Sequence, residues 1–420
     1  IAGHQKLGKL IYLYDDNHIS IEGDTNLAFT EDVVGRFDSY GWHTQRVSDG
    51  NDLAAIEKAI KKAQKEDGKP SIIAIRTHIG FGSPKQDDAG AHGSPLGDDG
   101  LRQTKKNLGW SEDKRFYVPD DVRAHFTSCV EDGGKLSAEW QGLFKRYGEG
   151  NVEDAKRFER EIAGALSDGW DENLSNFASN EKVATRSASG KIINALAANL
   201  PNLIGGAADL APSNNTIIKG ASGSQYDHPE GRNIHFGIRE HAMGAIVNGM
   251  ALHGGVIPYA ATFLVFSDYM RPSLRLAALM DTHSMFIFTH DSVGVGEDGP
   301  THQPIEHVMS LRAIPNLTVF RPADANETAA AWRLAIDRKK PAVFALSRQN
   351  LPTLDVDKYP VKGGTARGGY ILTLSEEKPD IILIATGSEV HLALEAHDEL
   401  KKKGVDVRVV SMPSWELFEE

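Results

Sequence analysis

The octapeptide Gly237-Ile238-Arg239-Glu240-His241-Ala242-Met243-Gly244 sets one carboxylate, Glu240, at the mouth of a nearly all-apolar run, residues 242–252. A carboxyl group partly stripped of water suits a proton donor. An acidic residue in the first turn of a helix, favoured by the helix dipole, accounts for the same position without chemistry. Thr289-His290-Asp291 and the segment 294–303, which holds Asp298 and His302 among glycines, follow a strand-like run. They are poor packing material and good material for holding a polyhydroxylated ligand. Arg348, in Ser347-Arg348-Gln349-Asn350, and Arg186, in Ala184-Thr185-Arg186, could each clamp a phosphate or simply be solvated. Asp15-Asp16-Asn17-His18-Ile19 offers the oxygens that a hard cation prefers, and serves equally as a polar turn. His92 sits in a long glycine-rich stretch, 79–97, where the backbone can approach a ligand and an imidazole can exchange a proton. A mobile surface loop has the same composition.

These groups need a scaffold that gathers strand ends. Leu10-Ile11-Tyr12-Leu13-Tyr14 and Ser71-Ile72-Ile73-Ala74-Ile75 are strand-like runs. Between them Leu53, Ile56, Ile60 and Ala63 fall at helical spacing, with Asn51 or Asp52 as N-cap and Gly68 as terminator. Strand, helix, strand implies a parallel sheet, and ligands bind beyond the carboxyl ends of such strands. Residues 118–166 read as charged helix without chemistry. A second α/β region, 184–352, carries strand-like runs at 285–288, 317–320 and 342–346. The last region shows two strands, 380–385 and 405–410, and one helix, 390–403. Two strands make no stable sheet alone, so a truncated domain is expected.

The whole chain, 420 residues with 41 glycines and a net charge of −12, is long enough for several domains and unsuited to a nucleic-acid or anionic-membrane surface. The longest uncharged stretch, 242–267, is broken by Asn248, His253, Gly254, Gly255 and Pro258, which argues for a buried helix and strand rather than a membrane span. One cysteine, Cys129, permits no intrachain disulfide and points to a reducing compartment, the cytoplasm by default.

Six segments resemble transketolase in that family's order: Asp15-Asp16-Asn17, residues 79–93, Ala208-Asp209-Leu210-Ala211-Pro212-Ser213-Asn214, residues 237–244, residues 296–303 and residues 347–352. The resemblance implies successive doubly wound parallel-sheet domains of the thiamine diphosphate-binding fold plus a truncated C-terminal α/β domain. The expected division is 1–117, remainder of the diphosphate-binding domain; 118–183, helical connection; 184–352, pyrimidine-binding domain; and 353–420, partial C-terminal domain. It implies a homodimer with active sites at the subunit interface. The expected activity is reversible transfer of a two-carbon ketol unit from a ketose phosphate such as xylulose 5-phosphate to an aldose phosphate such as ribose 5-phosphate, in the pentose phosphate pathway. That transfer runs through a thiamine diphosphate carbanion. Asn17 and the carbonyl of Ile19 would bind Mg²⁺, or Ca²⁺ in its place. Ile79, His92, Asp209, Phe263, Phe266 and Tyr269 would line the cofactor, and Glu240 would hydrogen-bond its pyrimidine ring nitrogen. His92 and His302 would handle hydroxyl protons, and Asp298 a substrate hydroxyl. Arg186, Ser213, His290 and Arg348 would bind the sugar phosphate.

The family's Gly-Asp-Gly metal motif finds no counterpart in this sequence, so the chain is expected to be a fragment of low activity on its own. Dihydroxyacetone synthase and 1-deoxyxylulose-5-phosphate synthase are the rival enzymes, and a non-catalytic transketolase-like partner protein the rival from another class. Residues 298–302 and 347–350 favour transketolase over the synthase of deoxyxylulose phosphate.

Overall fold

Runs of five or six apolar residues are stable only where both faces of a strand are covered, and here such runs take the middle of parallel sheets. The computed structural model describes residues 1–420 apart from Ser175, Glu376 and the side chain of Glu297. The chain forms two units, Ile1–Leu143 and Phe144–Glu420.

In the first unit, β1 (Ile11–Asp16) leads into a hairpin of β2 (Ile19–Ser20) and β3 (Gly23–Asp24). Then come α1 (Val33–Ser39), β4 (His43–Val47), α2 (Leu53–Ala63), β5 (Ser71–Arg76) and α3 (Gly97–Asn107). The order is β1-β5-β4, all parallel, with β5 buried in the centre. Asp52 is the N-cap of α2, its carboxylate accepting from the Ala55 N–H at 2.9 Å. The helix ends at Ala63, short of the expected Gly68, because its last buried contact, Ala63 against the Ile73 and Ile75 cluster, is then made.

The long α4 (Asp120–Gly150) buries none of its residues. It is followed by α5 (Val152–Ile162), whose Phe158 ring lies 5.4 Å from that of Phe144.

The second unit opens with β6 (Lys182–Val183), α6 (Thr185–Asn199), β7 (Leu203–Ala207), α7 (Ala211–Asn214), β8 (Asn233–His235), α8 (Glu240–His253) and β9 (Ile257–Phe263). It continues through α9 (Ser267–Leu279), β10 (Met285–Thr289), α10 (His307–Arg312), β11 (Thr318–Phe320), α11 (Ala325–Arg338), β12 (Ala342–Leu346) and β13 (Leu351–Pro352). Six strands in the order β11-β12-β10-β9-β7-β8 run parallel, so their carboxyl ends share one edge. The uncharged stretch 242–267 is accounted for mainly by α8 and the fully buried β9. Strand β7 admits close neighbours only as glycine: a Cβ on Gly205 would stand 2.3 Å from the Tyr259 carbonyl oxygen, and one on Gly206 1.8 Å from that of Ile234.

The C-terminal part corrects one expectation. After α12 (Val361–Ala366), β14 (Tyr370–Ile371) supplies a third strand, antiparallel to β16 (Val407–Ser411), with β15 (Ile381–Ala385) parallel on the other side. Two residues are too few for a periodic signal, so pattern alone missed it. The helices α13 (Glu389–Lys402) and α14 (Trp415–Glu419) complete this part. It is pinned to α11 by Glu327, which accepts from the Tyr370 hydroxyl at 2.9 Å and the Ser411 hydroxyl at 2.5 Å. Asp324 caps α11 through the Glu327 N–H at 2.8 Å.

Both carboxyls are buried. Burial first, and the Glu327 charge second, push Asp324 up to about 7, and burial raises Glu327. A folded-state pKa raised above the unfolded value of about 4 means stability that is full at low pH and falls as pH rises through the folded value. Denaturant titrations are therefore expected to show unfolding free energy dropping between about pH 4 and 7 from this pair. Asp324→Asn should flatten that slope while lowering stability throughout, since its amide would face the Leu354 N–H that Asp324 now accepts. A slope unchanged in the variant would remove the pair as its source.

Candidate active site

The carboxyl edge of the six-stranded sheet gathers most of the second-unit residues singled out above. Strand β8 ends at His235, and Phe236-Gly237-Ile238-Arg239 then delivers Glu240 to the first turn of α8, buried, with the Thr262 hydroxyl donating to its Oε1 at 3.2 Å. Strand β9 then presents Phe263, whose ring stacks on Phe266 at 5.9 Å with 9° between planes. Phe266 is the N-cap of α9, with Tyr269 at 6.0 Å, largely exposed. Strand β10 presents His290, whose ring centre is 3.8 Å from that of Phe263. His302, on the 3₁₀ turn Pro300–His302, meets Phe266 edge-on at 5.3 Å.

Asp209 and His290, immediately beyond β7 and β10 or their last paired residues, both have left-handed backbones, φ 62° and 61°. Aspartate and histidine tolerate this conformation better than branched residues, and it turns the chain sharply at the edge where ligands bind.

Two guanidinium groups approach the same region. Arg186, in the first turn of α6, donates from Nη1 to the Ser213 carbonyl at 2.6 Å, while its Nε is buried without a partner among the described residues. Burial first and Arg348 second lower its pKa, which is the signature of two cations held close in a partly dry pocket. Burial also drives His290 down to about 4; Arg186, Arg348 and His302 push the same way and Asp298 opposes them. His290 is thus neutral near pH 7. The arrangement is a cationic pocket with a neutral imidazole and an exposed carboxylate, Asp298, at its side. An anion entering it would meet the unpaired Arg186 N–H.

Not every polar residue of these segments faces the pocket. Asp291 is buried in an ion pair with Arg321 at 3.0 Å, and Arg321 reaches Glu389 at 2.5 Å, a link between β11 and α13. Ser347 is likewise structural, its hydroxyl 3.1 Å from that of Thr185 and accepting from the Thr185 N–H at 3.0 Å. Asn350 accepts from the Ala184 N–H at 3.1 Å.

In the first unit, Asn17 follows β1 and its Oδ1 accepts from the Ile19 N–H at 2.9 Å, which orients the amide oxygen at the strand's carboxyl end. Thr77 donates to Asp15 across from β5. The glycine-rich stretch is braced. The Ile79 carbonyl accepts from the Asp87 N–H at 3.0 Å, His78 contacts the Asp87 carboxylate at 2.8 Å, and Asn107 of α3 donates to the Gly82 carbonyl at 2.8 Å. The His78 contact is the main reason Asp87 lies below the usual carboxylate range. His92 ends the 3₁₀ turn Ala89–Ala91, exposed, its ring without a partner among the described residues.

The motif segments quoted above include Asn214 and Thr289 without giving either a role, and Thr262 lies outside them; all three bond the site residues from behind. Also missed was a contact of His307 with Asp268, 3.2 Å, near a second carboxylate, Glu306. Thr262, a single polar residue inside an apolar run, carries no periodic signal, and the partners of the others are far away in sequence.

Residues 1–167 match the family model of the transketolase thiamine diphosphate binding domain, 181–353 that of the transketolase pyrimidine binding domain, and 368–420 that of the transketolase-like C-terminal domain. A transketolase of Geobacillus stearothermophilus is 49% identical over 423 aligned residues, with 100% of this chain and 63% of that protein covered. The chloroplastic transketolase of Craterostigma plantagineum is 50% identical, with 100% and 82% covered. A crystal structure of Pichia stipitis transketolase in complex with sedoheptulose 7-phosphate superimposes with a TM-score of 0.96 at 43% identity, covering 100% of this chain and 63% of that one. The chain thus spans about 63% of the length of the Geobacillus relative.

Proposed function

Because this chain belongs to the transketolase family, we propose that it serves the reversible transfer of a two-carbon ketol unit from a ketose phosphate, such as xylulose 5-phosphate, to an aldose phosphate, such as ribose 5-phosphate. The observation that carries this reading is one sheet edge holding a buried carboxylate, Glu240, a stacked aromatic pair and the pocket of Arg186, Arg348 and His290. The first pair of features suits a flat heteroaromatic ring and the last a phosphate ester. The residues present fit the cofactor that the family implies. Glu240 offers a carboxyl beside an apolar aromatic surface, and the end of β1 offers the amide oxygen of Asn17 and the Ile19 carbonyl to Mg²⁺, or Ca²⁺ in its place.

When bound, thiamine diphosphate supplies the nucleophilic carbon and electron sink that cleavage of a bond next to a carbonyl requires. Glu240 holds a proton at the pyrimidine ring nitrogen, and Thr262 fixes the carboxylate that does so. Phe263 and Phe266 cover the ring and exclude water, with Tyr269 beside them; Ile79 and Asp209 line the cofactor. His92 and His302 move hydroxyl protons of the sugar, Asp298 accepts from a hydroxyl, and Arg186, Ser213, His290 and Arg348 hold the phosphate. The division into residues 1–117, 118–183, 184–352 and 353–420, the homodimer with active sites at the subunit interface, and a cytoplasmic place in the pentose phosphate pathway belong to the same proposal. Among the described residues no helix is long and apolar enough to cross a membrane.

The test is calorimetric titration with thiamine diphosphate and Mg²⁺, followed by a transfer assay between xylulose 5-phosphate and ribose 5-phosphate. Saturable binding that needs the metal, and formation of a seven-carbon ketose phosphate, are expected. Absence of binding would overturn the reading.

A further inference from the structure

Of the two ring nitrogens of His290, one is engaged by a buried neighbour and the other has no hydrogen-bond partner among the described residues. Its Nδ1 lies 2.9 Å from the Thr289 hydroxyl, which is fully buried. The same Thr289 oxygen accepts from the Asn214 amide nitrogen at 2.7 Å, and that nitrogen spends its other hydrogen on the Thr262 carbonyl at 3.2 Å. The Thr262 carbonyl can only accept, so the amide orientation of Asn214 is determined: its nitrogen, not its oxygen, meets Thr289. The buried Asn214 Oδ1, left without a partner among the described residues, is the cost of that orientation.

The Thr289 oxygen has a second lone pair, but its hydrogen has no acceptor other than His290 Nδ1 among the described residues, and a fully buried hydroxyl hydrogen left unpaired is costly. Nδ1 must then be bare, and the ring's one hydrogen sits on Nε2. We propose that Asn214 and Thr289 are positioning residues that lock His290 as a neutral Nε2–H donor for the phosphate of the sugar substrate. Its use on substrate rests on the function proposed above; the tautomer does not.

The groups facing His290 agree with this assignment. Arg186, from α6, and Arg348, beyond β12, disfavour a third cation there, as does His302; among the described residues Asp298 is the carboxylate that opposes them. The Thr289 hydrogen bond adds to the penalty, because it is made only to the unprotonated nitrogen. The imidazole therefore gives direction and the two arginines give charge. A protonated His290 would donate from Nδ1 instead, and the buried Thr289 hydrogen would then lose its one acceptor among the described residues.

The experiment is ¹⁵N NMR of the chain labelled at histidine, the His290 signals being assigned by their loss in His290→Gln. Wild type should show a bare Nδ1 and a protonated Nε2 at pH 7, and titrate below about pH 5. Thr289→Val, which keeps the shape and loses the hydroxyl, should raise the titration midpoint by about one unit, a tenfold change in proton affinity, and Thr289→Ser should restore it. A protonated Nδ1 in wild type overturns the proposal without any variant having to fold. So does a Thr289→Val midpoint equal to that of wild type. In the holoenzyme, Thr289→Val should raise KM for a phosphorylated ketose donor about tenfold, leave kcat within about twofold, and leave KM for an unphosphorylated donor unchanged. An equal rise for both donors overturns the phosphate role. A wild-type holoenzyme without turnover would instead count against the family-based function, with the NMR result still standing.

Discussion

Glu240→Gln is expected to lower kcat for two-carbon transfer by about 100-fold or more while thiamine diphosphate affinity stays within a few-fold. The glutamine is isosteric, its carbonyl oxygen can still accept from Thr262 at the 3.2 Å position of Oε1, and the first turn of α8 needs no charge to form. What it lacks is an acidic proton: its amide N–H can donate a hydrogen bond to a ring nitrogen but cannot transfer the hydrogen. The outcome is read by steady-state kinetics beside calorimetric titration of the cofactor. Turnover close to wild type would take Glu240 out of the mechanism, and loss of cofactor binding would make it a binding residue alone.

Trp332→Ala is expected to destabilise the second unit by about 3–5 kcal/mol, the range for removing a large buried aromatic side chain. Trp332 is fully buried, stacks on Phe344 at 4.7 Å and donates from Nε1 to Ser189 at 2.9 Å. It therefore joins α11 to β12 and to α6, the two elements whose ends carry Arg348 and Arg186. Truncation leaves a cavity between them and a buried hydroxyl short of its donor. Trp332→Phe keeps much of the apolar volume and should cost less, about 1–2 kcal/mol, part of it the lost hydrogen bond. Denaturant midpoints of the second unit's transition measure both. A loss below about 1 kcal/mol for the alanine variant would show that the core collapses around the gap.

The two predictions differ in how far they could be foreseen. Glu240 was legible because a lone carboxylate against an apolar run breaks a pattern, and its neighbours form a motif of local residues. The runs that became β5, β10 and β12 were legible because buried parallel strands are continuously apolar. Trp332 was not, since an aromatic residue in an alanine-rich helix shows nothing of what it packs against. The two-residue strand β14 escaped for want of length, and the ion pair of Asp291 with Arg321 escaped because its partners are thirty residues apart.

The sequence alone determined the class of fold, the family and the kinds of group at the site, because hydrophobic period and short motifs are local properties carried by neighbouring residues. Only the tertiary structure decided which polar residues face the pocket and which are internal fasteners. Asp291 and Ser347 belong to the second group, although each lies next to a residue of the first. It also decided the hydrogen-bond sense behind His290. That sense depends on Asn214, Thr262 and Thr289, which come from α7, β9 and β10 and meet only because parallel strands end at one edge.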